Sequence, residues 1–191
     1  MVGTLVCRAA AFLLVAVLAA MLSAAPGGSG VSAREPPPSK RLNGVTLPDD
    51  NVSLTYPFNW YVTTRLLDNV VDPRTLVAVA SYVIPGGTAE DCFGTRARGR
   101  PADGVFVLIK EVRDRASLKR SLPRLPERPR HFQIPASGRA GCLPANSVVF
   151  QFQVAHRRAF YVFVSVGPRA TPQTRRAVQR LLDTMTIGSR R

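Results

Sequence analysis

The side chains best suited to chemistry are two carboxylates, Asp103 and Glu111, at the two ends of one predicted strand. The long glycine-rich loop before them contains three arginines, Arg96, Arg98 and Arg100. A carboxylate can serve as acid or base, and guanidinium groups can anchor an anionic substrate. An ion pair at the sheet rim is the simpler explanation of such a carboxylate, with a ligand anchor as the alternative.

The histidines give little support for catalysis. His131 follows a connector rich in arginine and proline, and His156 lies in a predicted turn; neither stands in a pattern with a carboxylate or a nucleophile. The sequence also contains no G-x-S-x-G, H-E-x-x-H or phosphate-loop motif. We therefore favour a non-enzymatic protein without cofactor or metal, and keep a secreted enzyme acting on an anionic substrate as the alternative.

Two aromatic residues mark another candidate site. Tyr56 and Trp60 lie on either side of Pro57, and Trp60 is the sole tryptophan. They could line a ligand groove, but a large aromatic surface at a strand corner is more typical of a buried core that closes one end of a sheet.

The positive charge is the third candidate feature. The chain carries a net charge of +14, almost entirely from arginine, and the densest run covers residues 113–130, including Arg120 and Arg124. Such a run favours a solvated connector, with binding to an anionic envelope polymer or to lipid head groups as the alternative. An excess of arginine is not a nucleic-acid footprint unless it clusters on one face, so no nucleic-acid partner is expected.

The N-terminus predicts export from the cell. Residues 9–22 form an unbroken apolar run after Arg8, and small residues follow at 23–25. This pattern predicts a signal peptide over residues 1–25; an uncleaved membrane anchor is the alternative. The protein is then secreted or held in the cell envelope.

The rest of the chain predicts a linker and one domain. Residues 26–44 are rich in proline, glycine and serine, which is typical of a flexible tether. Residues 45–191 have a length and composition that fit a single domain.

Export also makes the cysteines interpretable. Removal of the signal peptide takes Cys7 away and leaves Cys92 and Cys142 in a compartment where thiols oxidise. We predict a disulfide between them that staples the long loop around Cys92. Two free thiols are the alternative, and a metal site is disfavoured because each cysteine stands alone.

Alternating apolar residues predict the strands that position these side chains. The alternation predicts strands over residues 76–84 and 105–112, and the first of them has apolar groups on both faces. Two aromatic-rich arms form a hairpin with its turn at residues 156–158, which we expect at the centre of the sheet. The predicted strands and hairpin cover residues 52–56, 58–62, 76–84, 105–112 and 148–166.

A C-terminal helix completes the prediction. Thr171 is suited to cap it, Pro172 to occupy its first position, and Gly188 to end the segment. Its apolar residues recur at helical spacing, so we expect the helix to pack on the hairpin. These residues are Val178, Leu181, Leu182 and Met185.

This order of elements resembles the PsbP-like family. The likeness lies in a strand that ends in Tyr56-Pro57, then Trp60, further strands, and a last strand followed by a helix and the apolar tail at residues 181–187. The family contains photosystem extrinsic subunits, a Ran-binding nuclear factor and bacterial envelope lipoproteins. The resemblance covers residues 45–187, and the chain is also similar to uncharacterised secreted proteins of actinobacteria.

The resemblance implies an antiparallel β-sheet with helices on both faces and a non-enzymatic binding or accessory role. The chain departs from the family in lacking a lipobox, in carrying two domain cysteines and in having little helix between its middle strands. We therefore expect an α+β protein with a C-terminal helix packed on its sheet, acting as an exported binding module of a bacterial envelope.

The predicted export and disulfide can be checked by the intact mass of the natively exported protein. We expect a mass that corresponds to cleavage after Ala25, with Cys92 and Cys142 alkylated only after reduction. An uncleaved chain whose two domain thiols react without reductant would contradict both predictions.

Overall fold

A computed structural model describes residues 34–68, 70–85, 99–138, 144–154 and 157–189. Within these ranges, no helix is both long and apolar enough to cross a membrane. Several predictions fall outside the described residues and stay predictions. They concern the signal peptide over residues 1–25, the first part of the linker over residues 26–33, Cys92, Cys142, Arg96 and Arg98.

The described elements give an α+β fold with two antiparallel sheets. The strands are β1 (Leu42–Leu47), β2 (Val52–Pro57), β3 (Tyr61–Thr63), β4 (Arg74–Ala80), β5 (Val105–Glu111), β6 (Ser147–Val154), β7 (Arg158–Val166) and β8 (Thr186–Ile187). The helices are α1 (Arg115–Ser121) and α2 (Pro172–Asp183), with short 3-10 turns at Pro48–Asp50 and Leu122–Arg124. One sheet has the order β1-β2-β8 and the other the order β3-β4-β5-β7-β6. The predicted class and antiparallel pairing are confirmed, but the strands divide between two sheets.

The Pro57 corner is where the chain passes from one sheet to the other. β2 ends at Pro57, and after a tight turn closed by the Trp60 N–H and the Pro57 carbonyl (2.9 Å) the chain enters β3. The pairing of β2 with β1 ends one residue later, where the Phe58 N–H donates to the Arg41 carbonyl (2.8 Å), and the turn then leads the chain away. Strands flank this corner on both sides as predicted, but the second covers Tyr61–Thr63 instead of residues 58–62, and the two strands belong to different sheets.

The main core lies among both sheets and α2. The inward face of β2 packs with the apolar side of α2 and with one face of the five-stranded sheet. The other face of that sheet carries a smaller cluster around Phe106 and Leu108. β4 and β5 are buried on both faces; the sequence predicted this for β4 and predicted β5 only as a strand.

The hairpin of β6 and β7 does not lie at the centre of the sheet as expected. β5 lies between β4 and β7, whereas β6 is an edge strand. The proline-rich connector covers this edge: Gln153 N–H donates to the Pro126 carbonyl (2.8 Å), and Arg128 N–H donates to the Gln153 carbonyl (2.9 Å). A covered edge needs no further strand, which explains why the sheet ends there.

The C-terminal helix begins as predicted and ends earlier. Thr171 accepts a hydrogen bond from the Thr174 N–H (3.1 Å) and so caps the first turn. The helix ends at Asp183, because Thr186 and Ile187 pair with β2 as β8. The apolar side of α2 packs mainly on β2 and more lightly on β5. It shares the main core with inward residues of the hairpin, so the predicted packing on the hairpin is only part of the observed arrangement.

The end of the predicted linker is bound to the domain. Residues 34–39, which we call the strap, make hydrogen bonds to three distant parts of the domain, and Pro38 is buried. β1 begins at Leu42, three positions before the predicted start of the domain at residue 45. Composition alone favoured a tether here, but prolines also suit a rigid segment that lies on a surface.

A buried ion pair joins the sheets at the end of β5. The Arg158 Nε donates to Glu111 Oε1 at 2.6 Å, and both side chains are almost fully buried. The same guanidinium donates to the Gly188 carbonyl (2.7 Å), just after β8 of the other sheet. Arg113 pairs with Asp50 beside it. Glu111 therefore anchors a structural cluster.

Removing one partner of this pair should cost more stability than removing both. We expect Glu111→Leu or Arg158→Met alone to lower the free energy of unfolding by about 3–5 kcal/mol, because a buried charge loses its partner. The double variant should be more stable than either single variant in urea unfolding. The exposed Glu127→Leu change should have little effect. A double variant that loses the sum of the two single losses would contradict this role.

Candidate functional site

A cavity of about 620 Å³ lies between the strap, the Pro57 corner and the first turn of α2. Its lining combines an aromatic ring, carboxylates, hydroxyls, prolines and guanidinium groups. The lining includes Glu35, Trp60, Ser81, Asp103 and Arg176.

The corner builds one wall of the cavity. Trp60 is only 5% exposed, and it belongs both to the main core and to the cavity lining. The side chain of Asn59 next to it forms two hydrogen bonds with the strap. Its Oδ1 accepts from the Ser39 N–H (2.8 Å), and its Nδ2 donates to the Pro37 carbonyl (3.0 Å). The wall of prolines is therefore fixed to the same turn that presents the tryptophan.

Glu35 and Asp103 lie close together in the lining of the cavity, beside Ser81. Ser81 and Asp103 are buried, so we call this part of the cavity its inner end. The backbone N–H of Glu35 donates to Asp103 Oδ2 at 2.8 Å. The Ser81 hydroxyl donates to Glu35 Oε2 at 2.5 Å and accepts from the Val105 N–H at 2.9 Å. Because Val105 fixes the serine, the proton of its hydroxyl points to Glu35. The two carboxylates thus have defined positions.

A turn closed by backbone hydrogen bonds positions Asp103. The Gly104 N–H donates to the Pro101 carbonyl (3.0 Å), and the Gly167 N–H donates to the Gly104 carbonyl (2.8 Å). A side chain at Gly167 would collide with the Ala102 carbonyl, so glycine is required for this close approach. Asp103 is buried at 9% exposure, which keeps its carboxylate facing the cavity and the strap.

The surroundings of Glu35 act on the pKa of its carboxyl group in both directions. Burial raises the pKa of Glu35, the Ser81 hydrogen bond lowers it, and the nearby charge of Asp103 raises it; the net direction is upward. Asp103 accepts the Glu35 N–H. The pair therefore contains one carboxylate that holds a proton more tightly than usual beside another that accepts a backbone hydrogen bond.

The entrance of the cavity is positive. Arg34 and Arg176 are exposed and line it. Pro172 and Gln173 begin α2 there, and the first turn of a helix carries partial positive charge. The cavity thus has buried carboxylates inside and cationic groups outside.

The residues predicted as a site do not all meet here. Trp60 and Asp103 line the cavity, whereas Tyr56 packs in the main core and is not part of the lining. Glu111 lies in its buried ion pair at the far end of β5, a strand that spans roughly 20 Å, whereas Asp103 precedes the near end.

The predicted arginines are also dispersed. Arg100 donates to Ser165 Oγ (2.9 Å) and to the Ala145 carbonyl (3.1 Å), and burial lowers its pKa. Arg120 on α1 and Arg124 just after it are exposed, beyond the end of β5 that carries Glu111. Arg96, Arg98 and the two domain cysteines lie outside the described residues.

Sequence reasoning missed Glu35, Ser81 and Arg176. Glu35 is the sole acidic residue between positions 26 and 44, directly before three prolines, and this was the one signal for it. Ser81 follows the end of β4 and carried no pattern. Arg176 lies on the exposed side of α2, at the mouth of the cavity.

Comparison of the chain with protein families, curated proteins and solved structures found no match. The part of the chain that the structure describes also contains no group of three or more side chains suited to hold a metal ion. The cavity and the side chains that line it are therefore the features from which a function can be inferred.

The raised pKa of Glu35 predicts a pH dependence. The folded protein holds this proton more tightly than the unfolded chain, so the contribution to stability is full below the unfolded pKa and is lost as the pH rises through the raised pKa. The free energy of unfolding of the wild type, measured in urea between about pH 4 and about pH 7, should therefore contain a decrease that is due to Glu35. Glu35→Gln should lack this decrease. Glu127→Gln is the matched exposed control and should follow the wild type. Equal pH profiles for wild type and Glu35→Gln would contradict the prediction.

Proposed function

We propose that the protein is an exported, non-enzymatic binding or accessory module of a bacterial cell envelope, which holds a small polar ligand in the cavity beside Trp60. The observation that supports this most is the combination of an indole, two positioned carboxylates and a positive entrance around about 620 Å³. Ligand sites are typically concave and largely preformed, with a few polar groups that fix the orientation of the ligand.

The proposed address rests on the N-terminal sequence. The apolar run and the small residues after it favour a signal peptide over residues 1–25, and the protein would be secreted or tethered in the envelope. In a secreted protein the proposed disulfide between Cys92 and Cys142 would also be favoured. The strap lies at the end of this N-terminal segment, so any tether would lead directly to the cavity wall.

Binding to an anionic polymer or lipid surface is a second candidate, and the distribution of charge favours it. Among the described residues, the lysine and arginine side chains that pair with a carboxylate are Lys110, Arg113 and Arg158. Asp49 and Glu127 apart, the described carboxylates accept hydrogen bonds inside the protein. Most arginines therefore project a positive field into solvent.

An enzyme acting on an anionic substrate is the alternative. Asp103 was the sequence candidate for this role, and it lies beside Glu35, whose pKa is raised. Two carboxylates with different proton affinities can divide the roles of acid and base. A search for turnover of any compound that binds therefore belongs to the same experiment.

We also propose that the fold is a variant of the PsbP-like sandwich. The antiparallel sheets, the tryptophan corner and the C-terminal helix support this proposal. The finer expectation, helices on both faces of the sheet, would assign α2 to one face and α1, which contacts β7, to the other.

Trp60 provides a direct assay, because it is the sole tryptophan and lines the cavity. We expect at least one compound among monosaccharides, disaccharides, dipeptides and dicarboxylic acids to change its fluorescence saturably, with a Kd between roughly 1 μM and roughly 1 mM. Asp103→Asn should weaken the response, while Asp49→Asn on the surface should not. The compound should be recovered unchanged.

Two results would count against the proposal. A complete panel without a saturable response would exclude a ligand site for these compounds, and a response that Asp103→Asn leaves intact would place binding elsewhere. Conversion of the bound compound by wild type, but not by Asp103→Asn, would favour the enzyme.

A further inference from the structure

We propose that the ligand of the cavity is an acidic sugar, whose hydroxyl groups face Glu35 and Asp103 and whose anionic group lies between Arg176, Arg34 and the first turn of α2. This inference rests on the proposed ligand-binding function and names the class of ligand. Three separate features of the cavity lead to it.

The inner end of the cavity provides acceptors for hydroxyl groups. Glu35 Oε2 accepts from Ser81 and Asp103 Oδ2 accepts from the strap backbone, yet a carboxylate has four lone-pair sites on its two oxygens. Both side chains line the cavity with capacity to accept further hydrogen bonds. A ligand that brings several O–H donors close together fits this arrangement, and a second anionic group would be repelled.

The walls suit a ring with an apolar face. Trp60 belongs to the lining although only 5% of the residue is exposed, and the strap contributes Pro36, Pro37 and Pro38. The C–H groups of a sugar ring can pack against aromatic and proline surface of this kind. Proline rings add a flat, apolar surface without a competing N–H. A pyranose presents C–H groups on its faces and hydroxyls at its edge. The C–H groups match the apolar walls, and the hydroxyls match the carboxylates at the inner end.

The entrance selects an anionic group. Arg176 is exposed at the mouth of the cavity, Arg34 lies on the strap, and α2 directs its positive end to the same place. Neither arginine forms an ion pair with a described carboxylate. A guanidinium can hold a carboxylate through two parallel hydrogen bonds, and the helix terminus adds to the attraction. A neutral sugar leaves these groups unused, and a cationic sugar is repelled.

Three sugars with the same ring and different charges test this inference: glucuronate, glucose and glucosamine. Each is titrated into the full-length exported protein at low salt with Trp60 fluorescence as the readout, and inorganic phosphate is titrated as the simple anion. We expect glucuronate to bind at least roughly tenfold more tightly than glucose, because its carboxylate can accept further charge-assisted hydrogen bonds from the arginines at the entrance. Glucosamine and phosphate should bind more weakly than glucuronate.

Arg176→Gln and Arg180→Gln form a matched pair of variants. Both arginines are exposed on α2, but Arg176 lines the cavity and Arg180 is one turn further along the helix. Arg176→Gln should weaken glucuronate binding roughly tenfold and leave glucose binding unchanged, whereas Arg180→Gln should change neither by more than about twofold. Thermal unfolding of both variants checks that the fold is kept.

The outcomes separate the inference from the proposed function. Equal or tighter binding of glucose or glucosamine would overturn the acidic sugar and leave a ligand-binding module. Phosphate that binds as tightly as glucuronate would also overturn it, because the site would then recognise an anion alone. If no sugar binds but another class in the panel does, the function stands and the inference fails. If nothing binds, both fail.

Discussion

The turn that begins at Pro57 determines where the two sheets separate, because the Trp60 N–H donates to the Pro57 carbonyl (2.9 Å) and so redirects the chain. β2 pairs in one sheet up to Pro57, and β3 pairs in the other sheet from Tyr61, directly after the turn. Trp60 then points into the core between them, and Asn59 on the same turn binds the strap. A change at the corner would therefore act on the connection of the sheets, on the core and on the cavity wall together.

The opposite end of the five-stranded sheet is held by charge. Glu111 and Arg158 are buried together, and Lys110 on the adjacent position pairs with Asp68 (3.1 Å) on the other face of β5. Each isolated charge would be costly in such surroundings, so the pairs specify which segments meet there. Arg158 reaches the carbonyl after β8, and Asp68 belongs to the connection between β3 and β4. The segments are thus joined by apolar packing at the Pro57 corner and by buried ion pairs at the end of β5 that carries Glu111.

Sequence patterns predicted the local elements well and their arrangement less well. Alternation located β2, β4, β5 and the hairpin, and the Thr171-Pro172 pair located the start of α2. The division into two sheets was not predictable, because a period of two assigns a buried face but no partner strand. The edge position of β6 was missed since its cover is an irregular proline-rich connector. For the site, Trp60 and Asp103 could be found from residue type, while Glu35 and Ser81 meet only through contacts distant in sequence.

The placement of carboxylates gives the cavity its polarity. Most described acidic side chains are engaged in caps, turns and buried pairs, so the arginines dominate the outer surface. Such a field raises the local concentration of anions and speeds their encounter, with little preference among them. Discrimination must then come from groups that the ligand meets after entry. In the proposed site Glu35 and Asp103 would supply it, because two carboxylates at the inner end disfavour a second negative group and can accept hydrogen bonds from a ligand that presents hydroxyls.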